Sequence, residues 1–320
     1  MYRQIARNKR RAAACIVAFF LMWVSIGAVV GWLWATVAVP DGAAPDGAAA
    51  GTAVPGDMVV GILAAAAFAL VGIAFSLTGG SRLVLRVSGA VPADPDRYRQ
   101  LHHIVGALAV GDGLPTPDVY VIDDPAPNAF ATGTSPAHAA ITATTGLLAV
   151  MNREDLEGVI AHEMSHIKNY DVRLLLIVST LIGMAGLLAG LVWRSAFFAG
   201  GRGRRGGQAV IVVFAAGALL GLVSAIVGPL VRLALSRSRE SLADVSGVEL
   251  TRNPIGLIHA LQKLQANDQP LARLNQATAA MCIDDPLRHH QGRIHRLFDT
   301  HPPLADRIAV LEGILLGQTT

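Results

Sequence analysis

The sequence predicts an α-helical multi-pass membrane protein that also carries an α+β domain. Hydrophobic residues make up 52% of the chain and charged residues only 15%, whereas soluble domains carry roughly 25% charged residues. Long uncharged apolar runs interrupt the chain in two places. Between them the pattern changes to short β-branched strands and a helix with polar and apolar positions at helical spacing.

The apolar runs predict two helical hairpins. About 20 apolar residues in a helix cross the roughly 30 Å hydrocarbon core of a bilayer. We therefore predict an N-terminal transmembrane hairpin over residues 1–80 and a second apolar helical hairpin over residues 173–236. The first run is too long for the apolar core of a signal peptide, so we interpret it as a retained anchor. The uncharged runs are roughly 12–39, 58–78, 174–193 and 209–231.

The charges around these runs predict an orientation. Five basic residues precede the first run, and the loop 40–57 contains three aspartates and no lysine or arginine. By the positive-inside rule the N-terminus is cytoplasmic and this loop is external, as expected for the inner membrane of a cell. The basic turn 194–205 would be external if the second hairpin crossed fully, so full crossing of that hairpin stays open.

The predicted α+β domain is divided into residues 81–172 and 237–320. DVYVIDD at 118–124 and the start of HAAITATTGLL at 138–148 are typical of strands. Residues 152–171 predict a helix with Asn152 as its N-cap. Residues 237–320 predict mostly helix, with a break at 284–293.

Composition excludes several function classes. Aromatic residues are only 5% of the chain, and the basic residues flank apolar runs, which disfavours a nucleic-acid partner. The two cysteines, Cys15 and Cys282, do not form a disulfide framework or a C-x-x-C motif. A transporter would carry acidic, basic or histidine side chains inside its membrane runs, and these runs contain none.

The stretch IAHEMSHIKNYD contains an H-E-x-x-H motif. His162 and His166 lie on one face of the predicted helix, where both imidazoles can bind one metal, and Glu163 is then the general base. Glu240 can supply a third ligand, and Asp244 can accept a hydrogen bond from a metal-bound histidine. A surface helix with two histidines, followed by a solvated acidic helix, is the alternative explanation.

Five segments in order resemble the HtpX-like membrane zinc metalloproteases, which are relatives of the CAAX-prenyl endopeptidases. The combination is specific, whereas each segment alone is not. The segments are NAFATG (128–133), AITATTGLL (140–148), VIAHEMSHIKNYDV (159–172), RESLAD (239–244) and THPPLADRI (300–308).

This resemblance implies a zincin-like α+β metalloprotease domain that binds one Zn²⁺ per chain. His162, His166 and Glu240 would be the zinc ligands and Glu163 the general base. By the same resemblance His301 and Arg307 approach the site, where they stabilise the oxyanion or hold the third-ligand carboxylate.

The resemblance also implies polypeptide substrates. Asn128 and Phe130 would border the substrate groove, and a peptide would add to a sheet edge formed by the strand 138–145. The implied function is a membrane-bound endopeptidase at the cytoplasmic face, with a role in stress response and in quality control of misfolded membrane proteins. A CAAX-type processing protease and a non-catalytic membrane scaffold or chaperone remain alternatives. The intact Glu163 argues against the scaffold.

Overall fold

The computed structural model describes residues 2–37, 56–199, 217, 221, 239–267, 281–283 and 302–317. The chain divides into two compact units. One comprises Met1–Ala12, Leu77–Ser179 and Pro229–Thr320, and the other comprises Ala13–Ser76 and Thr180–Gly228. The fourth predicted apolar run, apart from residues 217 and 221, and the predicted break at 284–293 lie outside the described residues.

Helices α1 (Tyr2–Val37) and α2 (Gly56–Thr78) contain the first two predicted runs. Each contains a described stretch long and apolar enough to cross a membrane, with mean hydropathy 2.5 and 2.6. Trp23 of α1 packs on Phe68 of α2 with ring centroids 4.7 Å apart. A Cβ on Gly27 would collide with the carbonyl oxygen of Gly61, so small residues let these two backbones approach. The third run lies within α7 (Asp171–Ala199).

A four-stranded mixed sheet lies in the first unit, which we call the α+β unit. Its strands are β1 (Val91–Pro92), β2 (Asp118–Ile122), β3 (Ala129–Ser135) and β4 (His138–Thr144). The order is β1-β2-β4-β3, with β4 parallel to β2 and antiparallel to β3. The expectation that residues 138–145 form the sheet edge is therefore wrong. β4 is central, because the chain before it folds back as β3 and occupies its outer side.

Short helices surround this sheet and the central helix α6 (Arg153–Lys168). They are α3 (Gly80–Val87), α4 (Arg99–Asp112), α5 (Thr145–Val150), the helical residues 239–251 (α8), α9 (Pro254–Gln265) and α10 (Leu304–Leu315). Apolar residues of the sheet, α4, α6, α9 and α10 share one buried cluster. The mixed sheet with packed helices agrees with the predicted α+β domain.

The beginning of α6 is fixed by a capping box. The Asn152 side chain accepts a hydrogen bond from Asp155 N at 2.8 Å, and Asp155 Oδ2 accepts one from Asn152 N at 3.2 Å. Lys263 Nζ of α9 donates to Asp155 Oδ2 at 2.6 Å. This ion pair ties the first turn of α6 to α9.

Glycines allow two helices to approach α6 closely. Gly158 of α6 faces the backbone of Leu257 in α9, where an added Cβ would come within 2.6 Å of the Leu257 nitrogen. Gly247 of α8 lies against the backbone of His162. Glu240, Asp244 and Gly247 share one face of α8, at helical spacing. α8 therefore presents two carboxylates to the histidine face of α6.

Candidate active site

Two histidines and one carboxylate converge inside the α+β unit. His162 Nε2 and His166 Nε2 are 3.2 Å apart, one turn from each other on α6. Glu240 of α8 places Oε2 at 3.5 Å from His162 Nε2 and Oε1 at 3.5 Å from His166 Nε2. All three side chains are buried.

This donor set fits a zinc ion. Zinc–nitrogen bonds of about 2.0–2.1 Å in a tetrahedron separate ligand atoms by about 3.3 Å. The three ligand atoms here lie within 4.8 Å of one another, with the two nitrogens at 3.2 Å. Two imidazoles and a carboxylate suit zinc and leave one coordination position open, as in catalytic sites.

Each histidine is held by a separate carboxylate on its other ring nitrogen. Asp244 Oδ1 lies 2.9 Å from His162 Nδ1, and Asp171 Oδ2 lies 3.2 Å from His166 Nδ1. An ionised carboxylate only accepts hydrogen bonds, so both Nδ1 atoms carry the proton. A bound metal requires the neutral imidazoles, and each Nε2 would then offer its lone pair to the space between the three side chains.

Asp171 was missed in the sequence analysis. It is the first residue of α7 and follows a tight turn in which Tyr170 has φ 60°. A carboxylate five residues after His166 is off the helical face, so periodicity on α6 gives no reason to select it. The tight turn is what returns its side chain to the histidine.

Arg307 donates two hydrogen bonds to the Asp244 carboxylate. Its Nε donates to Asp244 Oδ2 at 2.9 Å and its Nη2 to Asp244 Oδ1 at 2.6 Å. Nη1 donates to the carbonyl of Ile283 at 3.0 Å and lies 3.9 Å from Glu240 Oε2. Burial raises the pKa of Asp244, but the Arg307 guanidinium and His162 outweigh it and hold that pKa below its usual 3.8.

A small cavity lies at this site. Its lining includes Glu163, the two histidines and Glu240. Burial raises the pKa of Glu163, while the neighbouring histidines and a backbone N–H hydrogen bond from Ala131 oppose the rise. Burial and Arg307 lower the pKa of His162, but contacts with Asp244 and Glu240 outweigh them and raise that pKa from 6.5 to about 9.

The three other candidate residues are not seen in the cavity: one is outside the described residues, and two are buried without lining it. His301 is outside the described residues. Asn128 and Phe130 are buried, and Asn128 Oδ1 accepts a hydrogen bond from Ala129 N at 2.9 Å. Phe130 packs in an apolar cluster with Leu176. Among the described residues that line the cavity, β3 contributes Ala131 and neither Asn128 nor Phe130.

A short segment lies along the outer side of β3. Cys282 pairs antiparallel with Phe130, and Ile283 N donates to Ala129 O at 2.9 Å. Residues 281–283 also line the cavity beside the histidines. The start of β3 is thus covered by this segment, which Arg307 holds through the Ile283 carbonyl.

Comparison with known proteins assigns the family. Residues 95–315 match peptidase family M48. The chain belongs to this family. A protease HtpX homolog of Streptococcus mutans serotype c is 42% identical, covering 98% of this chain and all of the relative. One of Lactobacillus helveticus is 38% identical over 98% of this chain and 99% of the relative. The resemblance to HtpX-like proteases is therefore confirmed.

A solved structure is also similar to this M48 peptidase. The crystal structure of S. mikatae Ste24p matches with a TM-score of 0.49 and 17% identity, covering 98% of this chain and 67% of that one. The family match and the HtpX relatives together support a membrane-associated metalloprotease.

Proposed function

We propose that this M48 peptidase is a zinc-dependent endopeptidase that cleaves misfolded membrane proteins at the cytoplasmic face of the cell's inner membrane. One observation carries the proposal. Two imidazole nitrogens and the Glu240 carboxylate converge in a buried cavity that also contains Glu163. The quality-control role and the membrane substrates rest on the resemblance to HtpX-like proteases.

His162, His166 and Glu240 hold one zinc ion per chain in this proposal. Zinc supplies Lewis acidity, which polarises the scissile carbonyl and makes a water acidic near neutral pH. Glu163 accepts the proton of the attacking water and passes it to the leaving amine. Its buried setting raises the pKa of its carboxyl, which suits a group that both takes and returns a proton.

The remaining groups orient the ligands or the transition state. Asp244 and Asp171 fix the ring orientation of the two histidines through their Nδ1 atoms. Arg307 neutralises Asp244 and holds it in a bidentate geometry. His301, which the resemblance brings to the site, stabilises the oxyanion of the tetrahedral intermediate.

The substrate is an extended polypeptide that adds to the edge of the sheet. β3 is one of the two edge strands of the described sheet, and its Ala131 lines the cavity. Asn128, just before β3, and Phe130, within it, are both buried and would border this groove. The peptide would run along β3 beyond the residues that pair with Cys282.

The proposed organisation is a multi-pass membrane protein. Residues 1–80 and 173–236 are helical hairpins, and residues 81–172 and 237–320 form the cytoplasmic protease domain. The charge contrast between the basic N-terminus and the acidic loop 40–57 supports this orientation. The length and hydropathy of α1 and α2 support the first hairpin.

The test uses the full chain purified in detergent with its metal. Glu163→Gln should retain one zinc per chain and lose cleavage of casein, because an amide does not accept the proton of water. The double substitution His162→Ala and His166→Ala should lose the zinc. Native-rate cleavage by Glu163→Gln would refute the mechanism, and cleavage restricted to one prenylated peptide would favour the CAAX-type alternative.

A further inference from the structure

Asn8 is buried although it lies in a basic, solvent-facing stretch. Only 1% of it is exposed, whereas its neighbours Arg7, Lys9 and Arg10 are exposed. Asparagine is mostly found at the surface, and a buried amide needs hydrogen-bond partners. The partners of Asn8 therefore indicate why it is buried.

The Asn8 Nδ2 atom donates two hydrogen bonds to the turn that follows the histidine helix. Its Nδ2 donates to the carbonyl of Asn169 at 2.9 Å and to Asp171 Oδ1 at 2.7 Å. Lys9 adds a second contact to this turn, with its Nζ 4.4 Å from the centre of the Tyr170 ring. The residues at the start of α1 therefore hold a turn more than 160 positions further along the chain.

The same Asp171 carboxylate orients His166. One oxygen, Oδ1, receives the Asn8 amide, and the other, Oδ2, receives His166 Nδ1 at 3.2 Å. Arg239 Nη1 lies 3.5 Å from Oδ1, and Arg239 is the residue before Glu240. A carboxylate between two candidate metal-binding segments is thus shared by an amide, an imidazole and a guanidinium.

We propose that Asn8 is a positioning residue of the metal centre, acting on His166 through Asp171. This inference rests on the proposed zinc function. The amide is a neutral donor, so it fixes the rotation of the carboxylate without adding a positive charge that would compete for it. In its absence Oδ1 is left to Arg239, and the carboxylate turns away from the position that holds His166 Nδ1.

The experiment measures zinc affinity rather than activity. Full-length Asn8→Ala is purified in detergent and titrated with Zn²⁺ against a chromophoric chelator, and its Co²⁺ absorption spectrum is recorded. We expect affinity about 10–100-fold weaker than native and an altered Co²⁺ spectrum, as for the loss of a group that orients a ligand. Arg10→Ala, an exposed position on the same helix, should match the native protein in both measurements.

A double-mutant cycle separates positioning from a general loss of stability. Asn8→Ala should have no further effect on zinc affinity in an Asp171→Ala background, because it acts through that carboxylate. Asn8→Asp should weaken zinc binding at least as much as Asn8→Ala, because it sets a second carboxylate against Asp171. This variant tests the proposal if the alanine variant does not fold.

Two results would overturn the proposal. They are native zinc affinity in Asn8→Ala, whether or not its melting temperature falls, and additive effects in the cycle. A native protein that binds no Zn²⁺ at all would overturn the proposed function as well, so the two failures are distinguishable.

Discussion

At the scale of single residues, the candidate site contains two histidine–carboxylate pairs. Different residues hold the two carboxylates in place. Asp244 is clamped by two hydrogen bonds from Arg307, whereas Asp171 is held by the Asn8 amide at 2.7 Å. His162 is therefore anchored to α10 near the C-terminus, and His166 to the start of α1. The two proposed ligands on one helix face depend on opposite ends of the chain.

The Asp244 contact gives a prediction. Asp244→Asn should lower zinc affinity about 10–100-fold, because the amide does not supply the charge that His162 Nδ1–H and Arg307 share. Equilibrium dialysis against a zinc buffer measures the change. Asp306→Asn, an exposed acid next to Arg307, is the matched control and should leave affinity unchanged. Equal affinities in the two variants would contradict this role for Asp244.

Motif spacing predicted the candidate residues that lie next to a histidine or one helical turn from the third carboxylate. Glu163 is adjacent to His162, and Asp244 follows Glu240 by one turn. Motif spacing did not select Asp171 or Asn8. Asp171 reaches the site across a tight turn, and Asn8 reaches it from a distant segment. No periodicity in the sequence encodes either contact.

At the scale of elements, α6 was predictable and β3 was not. Asn152 and the apolar positions after it specify a capped helix, and the structure contains the full capping box. β3 has the sequence AFATGTS, in which small residues and a glycine hide the alternation of a strand. Its pairing with β4 made β3, and not β4, the sheet edge.

The contact between α6 and α9 yields a second prediction. Gly158→Ala should lower the stability of the protein by about 1–3 kcal/mol, because the new methyl meets the Leu257 backbone and not a movable side chain. Thermal unfolding in detergent measures the effect. Gly106→Ala on α4 is the control, since a Cβ there meets nothing within 4 Å. That change should stabilise by about 0.5–1 kcal/mol through helix propensity.

An equal melting temperature for Gly158→Ala and the native protein would mean that the two helices can separate without cost. Zinc content should be measured on the same samples. A loss of zinc together with stability is expected, because α6 carries both proposed histidine ligands.

At the scale of the whole molecule, the candidate site draws on segments separated by the second apolar region. The proposed ligands on α6 and α8 must share one compartment, because a membrane about 30 Å thick cannot separate atoms of one metal site. Local patterns predicted the segments themselves. Periodicity does not predict which segments meet. That prediction came from the five segments that resemble the family in the same order.

Cysteine labelling tests this arrangement. In a chain with Cys15 and Cys282 replaced by alanine, a cysteine at Ala48 should react with an impermeant thiol reagent in intact cells. Cysteines at the exposed positions Ala137 and Leu316 should react only after lysis. Zinc content confirms that each variant retains its site. Opposite labelling of Ala137 and Leu316 would refute a site shared between the two halves of the protease domain.

The distribution of the site along the chain also bears on protein synthesis. A ribosome releases Asn8 before the H-E-x-x-H helix, Glu240 about 75 residues after that helix and Arg307 later still. A nascent chain that ends before residue 240 has the base and two histidines but lacks the third proposed ligand. We expect such a chain to have no protease activity. Protease activity would thus arise only after Glu240 and Arg307 have both left the translating ribosome.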